Sequence, residues 1–115
     1  MQALKLQDLL GAGVVISDDV VNEKVLWTRE DGELVEFDIF VKREMSAADY
    51  EFIFLGLGEG SEDKSWMARR VHRMVKMASG EAFPMSDVVR FKPDLLKAIC
   101  DAINRVESPA KPPKA

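Results

Sequence analysis

Side chains suited to catalysis are few in this chain. Among 115 residues there is one histidine and one cysteine. His72 lies in Arg69-Arg70-Val71-His72-Arg73, and no second ligand or acid stands at metal-site or triad spacing. It reads as a surface helical residue. Cys100 shares an apolar helical face with Ile99 and Ile103, the setting of a buried structural thiol rather than a nucleophile. Gly56-Leu57-Gly58-Glu59-Gly60 invites comparison with a phosphate-binding loop. It follows a helical pattern instead of a strand, however, and no Gly-Lys-Ser/Thr completes it, so it reads as a flexible connector. Asp18-Asp19 lacks the spaced oxygen ligands of a calcium loop. No catalytic, cofactor-binding or metal-ligating set is expected, and no enzyme.

Binding features are richer. Arg69, Arg70, Arg73 and Lys76 form a basic strip beside Trp66, a combination that can engage nucleic-acid backbone and bases. A solvated helix face answering acidic groups elsewhere is the favoured reading, and a net charge of −4 weighs further against nucleic acid. Six methionines, with Met67, Met74 and Met77 clustered, can line an adaptable apolar groove for a helical or unfolded client, or fill the core. Phe40, apolar on the polar side of its strand, is either covered by a helix or an exposed contact point. The candidate partner-binding residues are therefore Phe40, Trp66, Met67, Arg70 and Met74.

Val25 to Arg43 organises the elements that must hold these residues. Two β-rich runs flank Asp31-Gly32. Val35, Phe37, Ile39 and Val41 alternate with Glu36, Asp38 and Lys42. A two-residue turn would set Trp27 opposite Glu36, on the polar face. A three-residue loop, Glu30-Asp31-Gly32, pairs Trp27 with Val35 and Val25 with Phe37. The expectation is a type I turn with Gly32 left-handed at a bulge, because a one-residue slip would expose the apolar face. A lone hairpin is marginal in water, so helices must cover that face.

The remaining elements follow from capping and period. Ala3 to Leu10 suits a short helix. Ser46 with Asp49 makes a capping box for a helix whose apolar stripe reads Tyr50, Ile53, Phe54 and Leu57, stopping in the glycine-rich run. Ser61 is expected to cap the next helix, with Glu62 and Asp63 in its first turn and Met67, Val71, Met74 and Ala78 buried. Residues 75–83 fit either the end of that helix or a small hairpin about Ala78-Ser79-Gly80. Ser86 starts a single turn, and Pro93 opens a last helix with Leu95, Leu96, Ile99, Ile103 and Val106 on its apolar face. Ser108 to Ala115 reads as a disordered Pro/Lys-rich tail. The expectation is one α+β domain over residues 1–107: an antiparallel hairpin, with a second short hairpin as an option, packed on three to four helices.

Hydrophobic content of 47% and charged content of 31% suit a globular domain with its own core. One cysteine suits a reducing compartment. No apolar run approaches the length of a membrane span, and Met1 to Leu10 is too polar for a signal peptide, so a soluble cytoplasmic protein is expected. The charge is split. Residues 1–63 hold 5 Lys/Arg against 15 Asp/Glu, and residues 64–115 hold 11 against 5. Attraction within the fold is the favoured outcome. Faces of opposite sign also allow partners, or copies of the chain, to associate.

Leu26-Trp27-Thr28, Asp31-Gly32-Glu33, Phe40-Val41-Lys42-Arg43 and Met45-Ser46, in that order, resemble the N-terminal signature of phage tail assembly chaperones, small proteins of long-tailed phages and prophages. Ser79-Gly80-Glu81-Ala82-Phe83, Ser86-Asp87 and the stretch from Leu96 to Val106 stand where that family has a turn segment, an acidic short helix and a final helix. The similarity spans roughly residues 20–107. Ser79 replaces a common Asp or Asn, and Asn104-Arg105-Val106 departs from the usual ending. The resemblance implies a non-enzymatic chaperone that coats the long, helical tape measure protein and helps recruit the tail tube protein in the bacterial host cytoplasm. It also implies that a longer, frameshifted form often accompanies the short one, and it favours the small second hairpin. Many weak copies along one client would supply avidity. Two rivals are a small nucleic-acid-associated regulator using the strip from Arg69 to Lys76, and a structural adaptor of the virion.

Overall fold

A computed structural model describes residues 5–13 and 15–107; the expected tail, 108–115, and the first residues of the expected N-terminal helix lie outside the described residues. Helix α1, Leu6–Gly11, buries none of its side chains, and Leu6, Leu9 and Leu10 face solvent.

Strands β1, Val20–Thr28, and β2, Leu34–Lys42, form an antiparallel hairpin in the expected register, Val25 opposite Phe37 and Trp27 opposite Val35. The Gly32 N–H donates to the Arg29 carbonyl at 2.9 Å, and the Arg29 N–H donates to the Glu33 carbonyl at 2.8 Å. Gly32 has φ 85, a left-handed conformation that a side chain would strain. With that register set, Val25, Ile39 and Val41 are buried on one face, joined by half-buried Val21, Trp27, Val35 and Phe37. Leu26 and Leu34 are exposed on the other face, where Lys24 and Glu36 form an ion pair.

Helices α2, Ala47–Phe54, and α3, Trp66–Met74, follow, and α3 runs directly into a third strand, β3, Val75–Met77. β3 pairs antiparallel with β2, giving the sheet order β1-β2-β3. The small-hairpin option for residues 75–83 is thus realised: Lys76 bridges to Ala82, and the Met77 N–H donates to the Glu81 carbonyl at 2.8 Å. The free edge of β2 offers β-branched Val75 a ladder, and Ser79-Gly80 supplies the reversal. Helices α4, Met85–Val88, and α5, Pro93–Glu107, follow.

α5 lies against β1 and β2 and buries Ile99, Cys100, Ala102, Ile103 and Val106. These meet Ile39, Val41, Ile53, Val71, Met74 and Val88 in the core. Each fully buried Ile or Val contributes roughly 1.5–3 kcal/mol. The architecture is α+β: among the described residues, a three-strand antiparallel sheet plus five helices. The two halves of opposite charge do meet within the fold, through Arg73–Asp49, Lys92–Glu30 and Arg105–Glu23.

Candidate functional site

α2 begins as its sequence demands. The Asp49 N–H donates to Ser46 Oγ at 3.0 Å, and the Ser46 N–H donates back to Asp49 Oδ2 at 3.2 Å, a closed capping box. Asp49 has a second task. It is 2% exposed, and its Oδ1 accepts from Arg73 Nε on α3 at 2.7 Å, with Lys42 Nζ 3.4 Å from Oδ2. Burial pushes its carboxyl up, but the Arg73 and Ser46 hydrogen bonds and the Lys42 charge outweigh that and hold it below the usual carboxylate range.

This carboxylate sets the rotation of α2. Positions 49, 52 and 53 share a helical face, so turning Asp49 inward buries Phe52 and Ile53. The expected stripe is corrected in consequence: only Ile53 of its four members is in the core. Tyr50, Phe54, Leu55 and Leu57 face solvent. α2 is apolar around nearly its whole circumference, so periodicity could not select the covered side.

The glycine run after α2 is a built turn. Ser61 is 1% exposed, and its hydroxyl lies 2.7 Å from the Gly56 carbonyl and 2.6 Å from that of Gly58, sharing its proton between them. Gly58 has φ 110, and a Cβ there would meet Phe52 Cδ1 at 3.3 Å. With its hydroxyl committed to this turn, Ser61 does not cap α3. Asp63 sits at φ 59, outside helical space, and the helix starts at Trp66 with Ser65 Oγ accepting from the Ala68 N–H at 3.1 Å.

The turn sets Trp66 beside the exposed side of α2. The Tyr50 and Phe54 ring centroids are 5.2 Å apart, and the Phe54 and Trp66 rings stack at 6.0 Å with 24° between their planes. All three are roughly half exposed: 52%, 44% and 46%. Leu55 and Leu57 are also exposed, and Leu57 lines a separate cleft of about 370 Å³ with Glu51, Phe52, Glu59 and Arg73. Arg70 Cζ lies 5.9 Å from the Trp66 ring centroid.

The five residues singled out from the sequence do not form one surface. Trp66 belongs to the aromatic row. Met67 is half-buried against the core, and Met74 is inside it. Arg70 is 5% exposed, with Nη2 donating to Asn104 Oδ1 at 2.7 Å and Glu107 Oε1 at 2.6 Å. Phe40 is half-buried on the outer face of the sheet, opposite Asn22 and Lys76, in a cleft of about 200 Å³ shared with Val20 and His72. Sequence reasoning missed Tyr50, Phe54 and Leu57 as surface residues by placing all three on the buried stripe, and did not single out Leu55.

The basic strip is dispersed. Arg69 donates to the carbonyls of Ile53 (2.8 Å) and Lys64, Arg70 pairs with Glu107, and Arg73 pairs with Asp49. Lys76 alone of the four makes no ion pair or side-chain hydrogen bond among the described residues. His72 Nδ1 lies 2.7 Å from the Phe83 carbonyl, fastening α3 to the chain after β3. Cys100 is buried, and that burial pushes its thiol up from the usual value. Among the described residues no three His, Cys, Asp or Glu side chains are grouped to hold a metal ion, and no helix is long and apolar enough to cross a membrane.

Fold and surface together define a small α+β domain whose most distinctive exposed feature is a contiguous apolar row on α2 and α3. The family model for phage tail assembly chaperones matches residues 7–107, and the chain belongs to that family. No curated protein and no solved structure matches it.

Proposed function

We propose that this chain is a non-catalytic chaperone that binds the tape measure protein in the host cytoplasm and holds it for assembly of the tail tube. The observation that carries this reading is the half-exposed Tyr50–Phe54–Trp66 row. Aromatic side chains in mutual contact and half exposed offer a large apolar area at low entropic cost. Family membership supplies the setting, tail assembly. The candidate residue retained from the sequence is Trp66, with Met67 behind it. Arg70 lies beside the Trp66 ring, Met74 belongs to the core, and Phe40 stands apart on the sheet. A non-catalytic role is supported by the structural engagement of the one histidine and the one cysteine.

Co-expression with the tape measure protein tests the proposal. Soluble tape measure protein that co-purifies with the chain, and loses that association when Tyr50, Phe54 and Trp66 are replaced by Ser, is the expected result. An insoluble or unassociated tape measure protein would overturn it. Finished particles examined by mass spectrometry should lack the chain; its presence there would instead identify a virion adaptor.

A further inference from the structure

We infer that the cleft over Phe40, on the outer face of the sheet, is a second docking site. Its occupant is an acidic segment of a partner protein: an apolar side chain with Asp or Glu on either side of it. The site is separate from the aromatic row, since none of Tyr50, Phe54 and Trp66 lines the cleft.

The sheet register builds the cleft. Phe40 lies opposite Lys76 on β3, and Val20 lies opposite Lys42. Both lysines therefore flank the half-buried ring, one across the ladder and the other two positions along β2 on the same face. The last turn of α3 and Ala82, which bridges to Lys76, close the sides. Phe40, Val20 and Ala82 supply apolar walls to a volume of about 200 Å³, room for one or two side chains of a partner.

Charge selects the occupant. Among the described residues no acidic side chain lines this cleft, although the chain carries a net charge of −4. Lys42 and Arg73 share the one carboxylate of Asp49. Lys76 is exposed and makes no ion pair or side-chain hydrogen bond among the described residues. Three positive charges thus answer to a single negative one, around apolar walls. Such a site attracts a carboxylate placed next to an apolar group and disfavours a cationic segment. It suits a peptide better than a nucleic acid, whose backbone needs cations in a track. Arg69 and Arg70, which would extend one along α3, are turned onto the Ile53 carbonyl and onto Asn104 and Glu107.

The test titrates three short labelled peptides with the full chain and reads fluorescence anisotropy. One places Leu between acids, one places Leu between lysines, and one places Ser between acids. At low salt the first should bind at least ~10-fold tighter than either of the others, and added salt should weaken it. Lys76→Glu and Phe40→Thr should each weaken that binding at least ~5-fold, while Trp66→Ser leaves it unchanged. Lys76 is exposed and threonine suits a strand, so circular dichroism of both variants should match the unaltered chain. No binding of the first peptide, or binding no tighter than that of the other two, overturns the inference. So does binding that survives Lys76→Glu or is lost with Trp66→Ser. A single-stranded oligonucleotide that binds more tightly than the peptide overturns it in favour of a nucleic-acid surface. An oligomer of the free chain that Lys76→Glu dissociates in sedimentation velocity overturns it in favour of a second copy. Recovery of the tape measure protein reads the aromatic row alone, so either surface can fail without the other.

Discussion

Arg73 Nε donates to Asp49 Oδ1 at 2.7 Å, and through this bond α3 determines which side of α2 is covered. The contact joins an acid of the negative half to a base of the positive half and closes the first turn of α2 against the middle of the domain. It also decides that Tyr50 and Phe54 lie on the exposed side of α2.

Asp49→Ala should lower stability by about 2–4 kcal/mol, since it removes a cap and leaves Arg73 facing an uncompensated site. Urea unfolding followed by circular dichroism measures it. The pH dependence has a definite sign. The folded-state pKa of Asp49 lies below its unfolded value, so its contribution is complete above about pH 4 and is lost as pH falls through the depressed folded value. Asp49→Asn should therefore show a shallower loss of stability on acidification than the unaltered chain.

The glycine turn should depend on Ser61. Ser61→Ala removes the only hydroxyl shared by the Gly56 and Gly58 carbonyls and should cost about 1–3 kcal/mol. Limited proteolysis should then cut between Leu55 and Ser65 sooner than in the unaltered chain. Gly58→Ala should destabilise by about 1–3 kcal/mol, because φ 110 and the approach to Phe52 act together.

The aromatic row should matter for association more than for folding. Single changes Tyr50→Ser, Phe54→Ser and Trp66→Ser should each shift stability by about 1 kcal/mol or less, since these rings are half exposed. The triple variant should lose at least ~10-fold in tape measure protein recovered by pull-down, a loss expected when a cluster of aromatic anchors is truncated. Lys76→Ala and Met77→Ala, away from the row, should leave that recovery unchanged.

Cys100 should be unreactive in the folded protein. Its burial disfavours the thiolate, so modification by an aromatic disulfide reagent at pH 8 should be slow in buffer and rapid once urea unfolds the chain. Fast modification of the native protein would show that α5 does not pack as described.

Much of this fold is legible in the amino-acid sequence. The hairpin register followed from Trp27 and the odd positions of β2, because any other loop would have exposed them. The capping box of α2 and the apolar face of α5 followed from local chemistry and period. The rotation of α2 did not, since its apolar residues are spread around the helix and its orientation is set by Arg73, 24 residues further on. Ser61 misled for a related reason. A serine before two acids looks like a cap, and only the burial of its hydroxyl against the Gly56 and Gly58 carbonyls shows that it closes the preceding turn. The basic strip was visible as a helical spacing, but its arginines are long enough to reach separate targets on α2, α5 and the intervening loop.

No residue separates Met74, the end of α3, from Val75, the start of β3. Trp66 thus stands on a lever whose far end is stitched into the sheet at Ile39, Phe40 and Val41. Weight placed on the aromatic row is transmitted to that seam without a hinge to absorb it. Slower deuterium uptake at the amides of Val75 to Met77 would register an occupied surface some three helical turns away.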